Sequence, residues 1–135
     1  MTPKRFTREE AEELLPYVAP LLFKLRELNR QRDQLQVQGA EVVQKSRGNG
    51  HGVDNEAGKV GREMEEAGTQ ITELIEKVQG MGIELKDPEA GLIDFRSIRG
   101  GREVYLCWRL GEEHVYFWHE IDAGFAGRQP LEEAE

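Results

Sequence analysis

GLIDFRSIRGGREVYLCWRLGEEHVYFWHEI, residues 91 to 121, decides the fold. Gly100-Gly101 suits a two-residue hairpin turn, whose favoured forms need positive φ at their central positions. Leu110-Gly111-Glu112-Glu113 suits a second turn, and Asp87-Pro88-Glu89-Ala90-Gly91 a turn before the first strand, with proline setting the backbone angle. The punctuation predicts three strands, residues 91 to 99, 102 to 110 and 113 to 121, arranged as an antiparallel meander.

Directly paired residues share a face of a sheet. With Gly100-Gly101 as the tight turn, Phe95 faces Leu106 and Ile93 faces Trp108; with Gly111-Glu112 as the next, Leu106 faces Phe117 and Trp108 faces Val115. One face then collects Ile93, Phe95, Val104, Leu106, Trp108, Leu110, Val115, Phe117 and Ile121, with His119 its only titratable member. That face is expected to be core. The other carries the rows Leu92, Arg109 and His114; Asp94, Cys107 and Tyr116; Arg96, Tyr105 and Trp118; and Ile98, Glu103 and Glu120. A solvated sheet face ordinarily carries Thr, Lys and Glu, so rings mixed with charges read either as cross-strand packing or as a contact surface. Arg96, Tyr105 and Trp118 could form a cation-π row. The candidate binding residues are Asp94, Arg96, Tyr105, Cys107, Arg109, His114, Tyr116, Trp118 and Glu120, together with Arg128 from the tail Gly124-Phe125-Ala126-Gly127-Arg128.

Zinc requires three or four N, S or carboxylate donors at about 2.0 to 2.3 Å. On this register His114 and His119 point to opposite faces, and Asp94, Cys107 and His114 share a face without converging. No metal and no cofactor is therefore expected. A Cys107-His114 nucleophile pair would need donors for an oxyanion, which no glycine-rich helix start supplies. His119 reads as a core-edge histidine satisfied by backbone or by a carboxylate such as Asp122.

Upstream, Thr7 and Glu10 have the spacing of a capping box that opens a helix. Pro16 and Pro20 each remove a backbone donor, which predicts a short first helix ending or bending near Leu15. From Leu14 an apolar seam continues through Val18, Leu21, Leu25, Leu28, Leu35 and Val42, interrupted by Arg32 and Gly39. A second seam runs Ala57, Val60, Met64, Ala67, Ile71, Leu74, Val78, Met81. Spacing of this kind predicts a long antiparallel helical hairpin, arms 7–46 and 57–81, with residues 47–56 as its tip. Leu15, Leu22 and Ile75 widen the stripes at one end only, where the sheet is expected to dock. The fold class is α+β: a helical hairpin with a short N-terminal helix, packed at one end on a three-stranded antiparallel meander (82–122), followed by a tail (123–135).

At 135 residues the chain reads as one domain. Its formal charge of -8 and the absence of a basic patch argue against nucleic acid or an anionic membrane as partner. A single cysteine rules out an intrachain disulfide, and MTPKRFTREEAEE lacks the apolar run of a signal peptide, so a cytoplasmic location is expected.

The motifs GIELKDPEAGLIDF (82 to 95), VYLCWRLGE (104 to 112) and WHEIDAGFAGRQPL (118 to 131), with the start FTREEAEELLPYVAPLL, resemble a bacterial family catalogued as domain of unknown function 2203. The resemblance implies a prokaryotic cytoplasmic protein and no named activity. The leading expectation is a non-enzymatic protein-interaction module, a homodimer or the binder of another protein, that uses the aromatic-charged sheet face. The rival is a small-ligand or divalent-metal enzyme with a site around Cys107 and His114.

Overall fold

The computed structural model describes residues 4–45 and 53–131. Two long helices, α1 (Arg8–Lys45) and α2 (Val53–Gly80), pack together and lead into an antiparallel sheet. Of the expected tip, residues 47 to 52 lie outside the described residues; from Val53 the chain is already helical. The capping box forms as its spacing predicts. The Glu10 N–H donates to Thr7 Oγ1 at 3.1 Å, and the Thr7 N–H donates to Glu10 Oε1 at 2.9 Å.

α1 has no separate short helix before it: it runs unbroken through Pro16 and Pro20. Both prolines lie on its exposed side, so the carbonyls of Glu12 and Pro16 that lose a helical donor face water. On the opposite side Leu15, Val18 and Leu22 are buried. Each such side chain contributes about 1.5 to 3 kcal/mol on burial, against about 3 kcal/mol for a proline in a helix interior. Packing therefore carries the helix across the break that local chemistry predicts. Further along, Leu28, Leu35 and Val42 are buried with Val60, Ala67 and Ile71 of α2, as the seams require. Gly39, at the interruption of the first seam, faces Val60 of α2, whose Cγ1 would lie 3.4 Å from an added Cβ, an ordinary packing contact.

The sheet has five strands, not three, in the sequential order β1-β2-β3-β4-β5: β1 (Glu84–Asp87), β2 (Leu92–Arg99), β3 (Arg102–Arg109), β4 (Phe117–Glu120) and β5 (Gln129–Pro130). The added strands are short edge strands, β1 bulged between Leu85 and Asp87 and β5 of two residues. β2 and β3 pair in the expected register, Phe95 opposite Leu106 and Ile93 opposite Trp108. Gly100 and Gly101, at φ 60° and 80°, make the tight turn between them.

β4 is displaced by one residue from expectation. Leu106 pairs with Trp118 and Cys107 with Phe117, so the two faces of β4 exchange. The cause is a long-range capture. After a turn closed by the Glu112 N–H on the Arg109 carbonyl, the Val115 N–H donates to Glu12 Oε1 at 2.6 Å, and the Val115 carbonyl accepts from Arg8 Nε at 3.1 Å. The first turns of α1 thus hold the segment before β4 away from β3, and no two-residue turn forms at Gly111. Trp118 joins Phe95, Val104, Leu106 and Trp108 in the main core, together with Val115, Phe6, Leu15, Val18, Leu22 and Val78. Phe117 and Ile121 leave it, and Ile121 is exposed. No helix among the described residues is long and apolar enough to cross a membrane.

Candidate functional site

The displacement of β4 brings together what the expected register kept apart. On the face away from the helices, Asp94 of β2 pairs directly with Cys107 of β3, and His119 of β4 pairs with Tyr105, one diagonal step from Cys107. Asp94, Cys107 and His119 are all buried, at 2%, 0% and 2% exposure. One donor atom from each lies within 4.8 Å of the other two. A tetrahedral ion with bonds of about 2.0 to 2.3 Å sets its ligands roughly 3.5 Å apart, so side-chain movements of about an ångström or less complete such a set.

The hydrogen bonds orient this cluster. His119 Nδ1 lies 2.7 Å from the Glu120 carbonyl, which can only accept, so Nδ1 carries a hydrogen. Nε2 is turned toward Asp94 Oδ2 at 3.0 Å. Across that gap two lone pairs face each other unless a proton or a cation lies between them. Asp94 Oδ1 is buried with no well-formed hydrogen bond, the weakly donating Cys107 thiol being the donor beside the carboxylate. Burial pushes the Asp94 carboxyl above its ordinary range, with His119 pulling the other way. Burial, reinforced by the negative charge of Asp94, pushes the Cys107 thiol up to about 12. In the ion-free chain Cys107 is therefore a thiol at neutral pH.

Two layers cover the cluster. On one side Glu84 Oε1 accepts from the Tyr105 hydroxyl at 2.9 Å and from Lys86 Nζ at 3.0 Å, while Arg96 reaches Glu84, Glu103 and the Tyr105 hydroxyl at 2.9 to 3.3 Å. The Tyr105 ring lies 5.4 Å from that of His119. On the other side Arg128 donates to the Cys107 carbonyl at 3.3 Å and to Glu112 Oε1 at 2.7 Å, its guanidinium 4.1 Å from the Phe117 ring.

Of the residues singled out from sequence, Asp94, Arg96, Tyr105, Cys107 and Arg128 gather here. Trp118 lies on the opposite face, beneath the guanidinium of Arg99 at 4.8 Å, and so takes no part in a row with Arg96 and Tyr105. His114 is exposed and 3.1 Å from Glu12, far in register from Cys107, with Tyr116 edge-on to it. Glu120 pairs with Arg102 at 2.7 Å, and Arg109 is exposed near Phe125. His119, placed in the core by the expected register, is the residue that sequence reasoning missed. Its partners are Asp94 and the Glu120 carbonyl rather than Asp122. The parity of β4 was the only signal for it, and both parities carry large apolar residues.

Residues 4–131 match the model of a family described as "Uncharacterized conserved protein (DUF2203)". The chain belongs to the DUF2203 family. All three buried donors of the DUF2203 chain, and the residues that cover them, lie inside the matched span. No curated protein and no solved structure matches it.

Proposed function

We propose that this chain binds one thiophilic divalent transition-metal ion, zinc foremost, through Asp94, Cys107 and His119. The observation that carries this reading is the convergence of a carboxylate, a thiol and an imidazole in one buried cluster. The donor set suits zinc: thiolate and imidazole select it over magnesium or calcium, which prefer all-oxygen sites. The Nδ1 hydrogen bond to the Glu120 carbonyl is the usual way a protein fixes a ligating histidine with Nε2 free for the ion. Thiolate, carboxylate and neutral imidazole carry two negative charges, which a divalent cation neutralises where burial would otherwise forbid them. An ion would also lower the thiol, since a coordinating thiol is deprotonated outright. Three protein donors leave one position of a tetrahedral ion for water or a substrate atom, the stoichiometry of catalytic rather than structural zinc.

A cysteine nucleophile is the poorer reading of the same residues. In a nucleophilic triad one ring nitrogen faces the thiol and the other the carboxylate; here the Glu120 carbonyl and Asp94 take both nitrogens. An interaction module using this sheet face is also the weaker reading, because Asp94, Tyr105 and Cys107 are buried within the single chain.

The test is elemental analysis of untagged protein, followed by Co²⁺ titration of the stripped chain. Near-stoichiometric zinc and a thiolate-to-cobalt charge-transfer band are expected, both lost in Cys107→Ser and His119→Ala with circular dichroism unchanged. Absence of metal together with absence of the band in the folded wild type would overturn the reading.

A further inference from the structure

The segment after β4 crosses the outer face of the sheet and seats Arg128 beside Cys107. Residues 121–126 are all exposed, and the single 3-10 turn Phe125–Gly127 buries no residue. Among described residues the segment is held by the two pairs of β5, by the Leu131 N–H on the Tyr116 carbonyl at 2.7 Å, by Leu131 packed against the main core, by Arg109 over the Phe125 ring at 6.0 Å, and by Arg128. Arg128 makes the most contacts of these. Its side chain is 12% exposed, pairs with Glu112 at 2.7 Å, donates to the Cys107 carbonyl, and lies between the rings of Phe117 at 4.1 Å and Phe125 at 4.7 Å. Its Nε is buried without a hydrogen-bond partner. Glu112 is itself fixed, since the same Oε1 accepts the Arg109 N–H at 2.7 Å. A charge-assisted pair thus fastens an otherwise exposed strap over the thiol side of the cluster.

We propose that the strap of residues 121–131, fastened by the Arg128–Glu112 pair, is the gate through which the metal ion enters and leaves the Asp94–Cys107–His119 site. This rests on the metal reading above. A buried site with no donor at the surface exchanges its ion only as fast as the cover opens, and here lifting residues 121–128 requires breaking the Arg128–Glu112 pair, the Arg128 bond to the Cys107 carbonyl and the stack on Phe117, while the β5 pairs and Leu131 anchor the end of the strap. The bound ion and the guanidinium repel each other, so charge alone gives the opposite expectation for Arg128: its removal would retain the ion more firmly. Removing the Glu112 carboxylate would, on charge alone, release the ion faster.

The experiment measures zinc release from the loaded full-length chain to excess chromogenic chelator by stopped flow. Arg128→Ala, Glu112→Gln and Phe125→Ala are compared with wild type. The strap predicts faster release in all three, about tenfold or more for the first two, as expected for loss of a charge-assisted bond in the closed state. Unchanged rates, or slower release in Arg128→Ala beside faster release in Glu112→Gln, overturn the gate, the second pattern being the signature of charge alone. Phe125 is 44% exposed, so its truncation leaves the core intact and decides the matter should either charged variant fold poorly; unchanged release in it then overturns the gate. A wild-type chain that takes up no zinc refutes the metal reading itself, a result distinct from either pattern of rates.

Discussion

The two connections of β3 are built on different physics. Between β2 and β3 the turn is local: Gly100 and Gly101 supply positive φ, and eight residue pairs follow in strict alternation. Between β3 and β4 the connection is fixed from outside the sheet, by Glu12 and Arg8 of α1 binding the Val115 backbone. The first register is a property of two residues in the turn. The second is a property of the tertiary structure, and the buried Asp94–Cys107–His119 cluster exists only because of it.

The sharpest way to break this comparison is to truncate the neighbours that the displaced register separates. Trp118→Ala should cost about 3 to 5 kcal/mol, as expected for emptying a core site, whereas Phe117→Ala should cost less than half as much, because Phe117 lies half-buried under Arg128. Urea unfolding of the two variants measures both; a more damaging Phe117→Ala would restore the undisplaced register. Glu12→Ala comes next. It leaves the buried Val115 N–H without its acceptor, and a loss of about 1 to 3 kcal/mol is expected, with accelerated amide exchange confined to residues 113–120. Exchange spread evenly over the sheet would mean that α1 does not set the register of β4. In the local turn, Gly101→Ala meets no side chain and strains only φ, so about 1 to 2 kcal/mol should be lost, readable as a lowered urea midpoint with the β3–β4 exchange pattern unchanged.

The smallest effect is electrostatic. Glu103 and Glu120 are held below the ordinary value of 4.5, first by hydrogen bonds from Arg5 and Arg102 respectively. A carboxyl lowered on folding adds stability that is present above 4.5 and lost as pH falls through the lowered folded value. Glu103→Gln should therefore reduce the melting temperature slightly at pH 7, by an amount that shrinks as pH is lowered below 4.5. A difference that grows toward low pH would reverse the assigned sign.

The helices, their seams, the capping box and the β2–β3 register were legible because each depends on residues close in sequence or on a sustained period. Three features were not. Pro16 and Pro20 predict a break that the buried Leu15, Val18 and Leu22 override, and this balance is visible only once the partner surface is known. β1 and β5 are too short to show a period and form by templating on β2 and β4. The sequence puts Asp94 and Cys107 on one face, but a turn set locally at Gly111 puts His114, which does not converge with them, on that face in place of His119. One residue of slip moved every side chain of β4 to its other face, exchanging His119 for Trp118.

The segment before α1 is tied to β2, far along the chain. Ser97 Oγ donates to the Phe6 carbonyl at 2.6 Å across a separation of 91 residues, and the Phe6 N–H donates to the Arg96 carbonyl at 2.7 Å. Closing a loop of that size costs about 4 kcal/mol in its length-dependent part alone. During synthesis Phe6 and Glu12 must wait for their partners until both helices and most of the sheet have left the ribosome. The helical hairpin is built from contacts between neighbouring segments, whereas the anchoring of Val115 by Glu12, 103 residues apart, draws on pairings of the kind that slow folding.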